Sequence, residues 1–259
     1  MKPVKFLALL LGLLILPAPL YGQTDTENPA TVIMQKVIQK MLVNEALKNK
    51  YLNFKKHFVD TRLDDSDKPK KTTTDQIIEV RPPNGNEVLI QEDGEPKNKK
   101  LDSGGEFEKI MEALSRRFDY EMTKPTADCP ACPFMSKDGK VYLVINFHAN
   151  GSKNTGGDDV KEIMNRSAGK MYVDLENLYV QRFESNMTSA YKKAWGIFQL
   201  KQADLVLEQG EVDTAEGKII VTMSTTIKYR YSLFGETRGI RSWTYEDYRY
   251  VPTPPPPER

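Results

Sequence analysis

The sequence predicts an α+β protein built mainly from antiparallel β-strands. Two observations carry this prediction. After Tyr51, short segments of alternating apolar and polar residues are separated by turn signals at 64–66, 82–85 and 92–94. Elsewhere, two stretches carry apolar residues at helical spacing. The length of the chain after its N-terminal segment suits a single domain, over 23–251.

The first 22 residues have the layout of a secretory signal peptide. Lys2 and Lys5 precede an apolar run over 6–16, which Pro17 closes, and cleavage is expected after Gly22. This run is shorter than the roughly 20 apolar residues that span a bilayer. No cysteine lies near the cleavage site, so a lipid anchor is not expected. We therefore expect a periplasmic protein with no transmembrane segment after processing.

Two helices are predicted, over about 29–50 and 106–117. Asn28 can cap the first, with Pro29 in its first turn. Their apolar stripes are Met34, Val37, Ile38, Met41 and Leu42 in the first helix and Phe107, Ile110, Met111, Leu114 and Phe118 in the second. For the first stripe, packing on a sheet is favoured over lying on a membrane surface. A short helical turn over 158–166 is expected to end at Ala168-Gly169.

The C-terminal third gives the strongest strand signals. A meander is predicted with strands over 170–174, 179–187, 195–209, 218–231 and 235–250. Six residues of the fourth strand are expected to share one apolar face: Ile219, Val221, Met223, Ile227, Tyr229 and Tyr231. The tail at 252–259 contains four consecutive prolines and is expected to extend as polyproline II.

The two cysteines, Cys129 and Cys132, have the spacing of a redox or metal motif. They lie in a proline-rich segment without a surrounding βαβ pattern, and His57 and His148 are the only histidines. A local disulfide is therefore favoured in an oxidising compartment, with thiol redox chemistry and metal binding as alternatives.

Composition and motifs do not predict an enzyme. The formal net charge of +1 at pH 7 gives no reason to expect a nucleic acid partner. Nucleophile elbows, phosphate loops and dinucleotide fingerprints are missing from the sequence, so no catalytic residue, cofactor or metal is expected.

Three segments resemble a known family. Residues 168–174 (AGKMYVD), 179–184 (YVQRFE) and 241–250 (RSWTYEDYRY) are similar to strands of the LolA/LolB-like outer-membrane lipoprotein-sorting proteins. The resemblance spans about 52–251. It implies an antiparallel half-barrel, a strongly curved sheet of about 9–11 strands with helices packed on its concave side.

The resemblance also implies an apolar cavity on the concave side, which holds acyl chains in the sorting proteins. The candidate wall residues are Ile197, Val221, Met223, Ile227 and Tyr229, although each is also compatible with ordinary core packing. The expected function is a non-enzymatic periplasmic carrier or binding protein for lipid or lipoprotein acyl chains, in lipoprotein sorting or envelope maintenance. The alternative is an envelope scaffold that binds a protein partner and fills its own cavity.

Overall fold

The computed structural model describes residues 28–102, 106–152 and 157–252. The expected signal peptide and nearly all of the proline-rich tail lie outside these ranges. Three α-helices are described: α1 (Pro29–Tyr51), α2 (Glu106–Arg116) and α3 (Asp159–Met164). None of them is long and apolar enough to cross a membrane.

Strands make up most of the described chain, in the following order: β1 (Leu52–Leu63), β2 (Pro69–Arg81), β3 (Asn86–Glu92), β4 (Glu95–Lys100), β5 (Phe118–Met122), β6 (Phe134–Lys137), β7 (Lys140–Ala149), β8 (Ser167–Asp174), β9 (Tyr179–Met187), β10 (Tyr191–Lys193), β11 (Phe198–Thr214), β12 (Gly217–Ser232) and β13 (Glu236–Tyr250). A 3-10 turn, Ala194–Gly196, separates β10 from β11.

All of these strands belong to one antiparallel sheet, ordered β4-β3-β2-β1-β13-β12-β11-β9-β8-β7-β5, with β10 and β6 attached to β11 and β7. Its last strand, β13, lies between β1 and β12 and so joins the two halves of the chain. The sheet is curved and not closed, which confirms the predicted α+β half-barrel class. It has 13 strands, more than the 9–11 expected, because β6 and β10 are short side additions.

Helix α1 is fixed to the sheet at both ends. At its start, the Asn28 side chain accepts a hydrogen bond from Ala30 N (3.0 Å) and donates one to Tyr120 O of β5 (2.7 Å). Further along, the Asn44 amide donates to Ile220 O (2.5 Å) and accepts from Ile220 N (2.8 Å). The β12–β13 pairing ends at Ser224, so Asn44 satisfies backbone groups that a neighbouring strand would otherwise bind.

The main core lies between α1, α2 and one half of the sheet, formed by β5, β7, β8 and β9. Buried α1 residues such as Met34 and Val37 pack with residues of these strands, including Ile145 and Met171. A second, smaller cluster surrounds Phe54 where α1 runs into β1. The face of the sheet that carries α1 and α2 is called the inner face below.

The sequence predicts a helix end at Gly169, but this residue lies in β8. Helix α3 ends earlier, before Asn165. Because Gly169 has no side chain, the β9 backbone and the Phe147 ring can pack closely against it. A Cβ added at Gly169 would collide with the backbone oxygen of Glu184 and lie 2.9 Å from the Phe147 ring. The glycine therefore lets β8 and β9 approach under that ring.

Candidate functional site

The five candidate wall residues do not form one row. Val221 is fully buried in the cluster around Phe54, whereas Ile197 and Met223 are exposed. The β11–β12 register shifts at Glu208/Gln209, where Ser224 and Thr222 have partners on β11 and Met223 has none.

The space between the helices and strands β11 and β12 is small. A cleft between α1, α2, β11 and β12 has a cavity volume of ≈ 30 Å³ and is lined by residues such as Met41, Phe107 and Ile220. This volume holds one or two water molecules and no acyl chain. Val221, which was expected to line a cavity, is packed core here.

The other half of the inner face, beyond the helices, is open. One cross-strand row runs from Phe58 through Trp243, Thr225 and Leu207 to Phe183. Because Phe183 packs against the main core beneath the helices, this row lies on the inner face.

The next row runs parallel to the first, through Asp60, Arg241, Ile227 and Leu205. The apolar residues of the two rows are Phe58, Leu205, Leu207, Ile227 and Trp243, and they are called the apolar floor. Each of them is half-buried. The rings of Phe58 and Trp243 stack with centroids 4.9 Å apart.

A polar cluster borders the apolar floor. The Asp60 carboxylate, in a residue only 7% exposed, accepts hydrogen bonds from Tyr229 Oη (2.7 Å) and Arg241 Nε (3.1 Å). The Arg62 and Arg241 guanidinium carbons lie 6.0 and 5.0 Å from the centroid of the Tyr229 ring. Arg62 also donates long hydrogen bonds of 3.4 and 3.5 Å to Tyr231 Oη. These five residues are called the Asp60 cluster.

The two tyrosines of the Asp60 cluster have opposite pKa shifts. Burial, together with the hydrogen bond to Asp60, raises the pKa of Tyr229 to about 12. The Arg62 guanidinium lowers the pKa of Tyr231 from its usual value, because its hydrogen bonds and charge favour the phenolate. Tyr229 therefore keeps its proton at neutral pH and serves as a donor to Asp60.

Gly239 makes the position of the Tyr229 ring possible. The two residues are cross-strand partners, and a Cβ at Gly239 would overlap the Tyr229 hydroxyl and lie 2.8 Å from Thr61 O. We expect Gly239→Ala to lower the free energy of unfolding by about 2 kcal/mol, because the ring must move away from Asp60. Urea denaturation measures this loss.

Gly210→Ala is the matched control for this prediction. It lies on the neighbouring sheet region, and its added Cβ would meet only the flexible Met223 side chain, at 3.2 Å. We expect a loss of less than about 1 kcal/mol there. Equal losses in the two variants would contradict the role assigned to Gly239.

Cys129 and Cys132 form a disulfide in the loop between β5 and β6. The turn at 130–133 contains Cys132 and directly follows Cys129. Neither cysteine lies at a helix N-terminus, the position that activates redox cysteines. Two backbone hydrogen bonds hold this loop on the sheet, from Val144 N to Pro133 O (2.7 Å) and from Thr123 N to Val144 O (3.1 Å). The disulfide and these two hydrogen bonds thus stabilise the loop that leads into β6.

Sequence reasoning placed Ile227, Tyr229 and Tyr231 on one face of β12. It missed the other residues of the apolar floor and the Asp60 cluster: Phe58, Asp60, Arg62, Leu205, Leu207, Arg241 and Trp243. A weak signal was present in β1, where Phe54, Phe58 and Asp60 fall on alternate positions. An acidic residue in such a row indicates a buried polar contact, but its partners on β12 and β13 lie 169 and 181 positions away.

Comparisons with known proteins give little further information. No protein-family model and no curated protein match the chain. A solved DUF1329 family protein from Desulfovibrio piger is 11% identical, with 86% of this chain and 93% of that chain covered and a TM-score of 0.39. The tesB protein of Mycobacterium avium subs. paratuberculosis is 10% identical, with coverages of 85% and 86% and a TM-score of 0.15. Similarities this weak carry no information about the function of this chain.

Proposed function

We propose that this protein is a non-enzymatic periplasmic binding protein that carries acyl chains on the open half of its inner face. The observation that carries the proposal is the apolar floor. It continues the main core past Phe183, yet its side chains remain partly exposed beyond the part of the sheet that α1 and α2 cover. A contiguous, partly exposed apolar surface of this kind is typical of a binding site.

The dimensions of the apolar floor suit a single extended acyl chain. From β1 to β9 the first row crosses four strand spacings, or roughly 19 Å. The chain would lie across the strands, along the two rows of side chains. Each 100 Å² of apolar area removed from water stabilises the complex by about 2.5 kcal/mol. Such binding is reversible and requires no covalent step.

Export is the other part of the proposal. The lysine-flanked apolar run that ends at Pro17 supports a cleaved signal peptide, and the disulfide fits an oxidising compartment. A protein that shields acyl chains from water would serve lipid or lipoprotein transfer there.

The test is a single charge placed in the apolar floor. We expect Leu207→Asp to weaken uptake of the neutral fluorescent probe N-phenyl-1-naphthylamine at least about tenfold, because a bound chain would have to desolvate the carboxylate. Titration of the probe, followed by its fluorescence, gives the dissociation constant.

Val43→Asp is the matched control, since Val43 is 59% exposed on α1, away from the apolar floor. We expect its dissociation constant to equal that of the unchanged protein. Probe uptake that is equal in both variants would show that the floor is not the binding surface.

One set of residues favours the alternative, an envelope interaction protein. Phe234 is 94% exposed at the β12–β13 turn, next to the exposed Leu233. A protein partner could bury these side chains. An interaction protein of this type predicts no probe uptake at all, so the titration of the unchanged protein separates the two functions.

A further inference from the structure

The inner face carries an excess of positive charge beside the apolar floor. The Asp60 cluster contains two guanidinium groups, Arg62 and Arg241, and a single carboxylate. Within the described ranges, Arg241 pairs only with Asp60, and Arg62 has no ion-pair partner within 4.0 Å. The cluster therefore holds one net positive charge.

The hydrogen-bonding groups of this cluster are only partly used. Arg241 binds Asp60 through Nε, and its side chain is 48% exposed. Its two terminal nitrogens are not needed for that contact. Arg62 makes only the long contacts to the Tyr231 hydroxyl. A guanidinium that keeps free N–H groups is prepared to bind a planar anion through two parallel hydrogen bonds.

The position of the charges relates them to the apolar floor. Arg241 stands in the same cross-strand row as Ile227 and Leu205, and Arg62 stands in the adjacent row, opposite Gly239. An acyl chain lying on the floor would bring its polar end to these side chains. Asp60 and the Tyr229 ring hold the guanidinium groups in place from beneath.

We propose that the Asp60 cluster binds the carboxylate of a single-chain fatty acid whose hydrocarbon tail occupies the apolar floor, with Arg62 and Arg241 as its ligands. The proposal rests on the proposed function, since it names the ligand class of the same surface. One net positive charge matches one carboxylate, and two rows of apolar side chains offer room for one tail.

The experiment compares palmitate with hexadecanol, which has the same tail length and no charge, by isothermal titration calorimetry at low salt. In the unchanged protein we expect palmitate to bind at least about tenfold more tightly, with the preference falling as salt is added. In Arg62→Gln and in Arg241→Gln, palmitate should bind about tenfold more weakly while hexadecanol binding stays the same.

Arg249→Gln is the matched control, an exposed arginine on β13 like Arg241 but opposite Asn53 and outside the cluster. Its palmitate affinity should not change. The ratio of the two affinities within each variant guards against misfolding, because a damaged fold loses both ligands together.

Three results would overturn the inference. Equal affinities for palmitate and hexadecanol in the unchanged protein would remove the head-group site and leave the proposed function intact. Tighter binding of lysophosphatidylglycerol than of palmitate would replace the carboxylate by a phosphate ligand. Binding of none of these probes would overturn the proposed function, and the inference with it.

Discussion

Replacing Phe147 by alanine is expected to lower the free energy of unfolding by about 3–5 kcal/mol. Phe147 is 2% exposed in the centre of the main core. Its ring meets Phe118 edge-on at 5.1 Å and stacks on Phe183 at 5.0 Å. Removing it leaves a cavity over Gly169, which has no side chain to fill the space. Urea denaturation of the purified protein measures the change.

Phe134→Ala on β6 is the control for this prediction. Phe134 is 50% exposed, so the same substitution should change the free energy of unfolding by no more than about 0.5 kcal/mol. A loss below 1 kcal/mol in Phe147→Ala would contradict the placement of this ring in the core.

Asp60→Ala is expected to destabilise the protein by about 3 kcal/mol, because it removes the acceptor of two hydrogen bonds at once. Most of the loss arises at Tyr229, which is 5% exposed and would be left with an unsatisfied hydroxyl. The contribution from Arg241 is small, since its half-exposed guanidinium can be hydrated instead.

Asp60→Asn separates the two contributions. The amide oxygen can still accept the Tyr229 hydroxyl, while the charge and the hydrogen bond from Arg241 Nε are lost. Because the half-exposed Arg241 can be hydrated instead, we expect a loss of about 1 kcal/mol. Thermal and urea unfolding should show that the Asp60→Ala variant is the least stable, the Asp60→Asn variant is more stable, and the unchanged protein is the most stable. Equal stability of the alanine and asparagine variants would mean that the Tyr229 hydrogen bond contributes nothing.

Local signals predicted a large part of the fold. Asn28 and Pro29 indicate the start of α1, and Asn28 is its N-cap in the structure. The resemblance to the sorting proteins supplied the curved, open sheet. Where a local pattern was ambiguous, the prediction was wrong. Ala168-Gly169 has the form of a helix stop, yet Gly169 is in a strand because close packing under Phe147 requires a glycine there.

The candidate site was harder to predict than the fold. Its rows arise from the pairing of β1 with β13, a register between distant parts of the chain that alternation within one strand does not specify. The bulge opposite Glu208/Gln209 is another example, since it leaves Met223 without a partner on β11. The predicted start of β11 was also wrong. The strand begins at Phe198, after a 3-10 turn, and not at 195.

Acyl chains are proposed to bind on the apolar floor, and Trp243 lies within this surface. The chain has two tryptophans, so a Trp195→Phe variant leaves Trp243 as the single reporter. We predict that 9,10-dibromostearate quenches the Trp243 fluorescence in a saturable manner and that unbrominated stearate does not. Bromine quenches only at contact distance, so quenching reports a chain that touches Trp243. Saturable binding of the brominated chain without any loss of Trp243 fluorescence would show that acyl chains bind elsewhere than on the apolar floor.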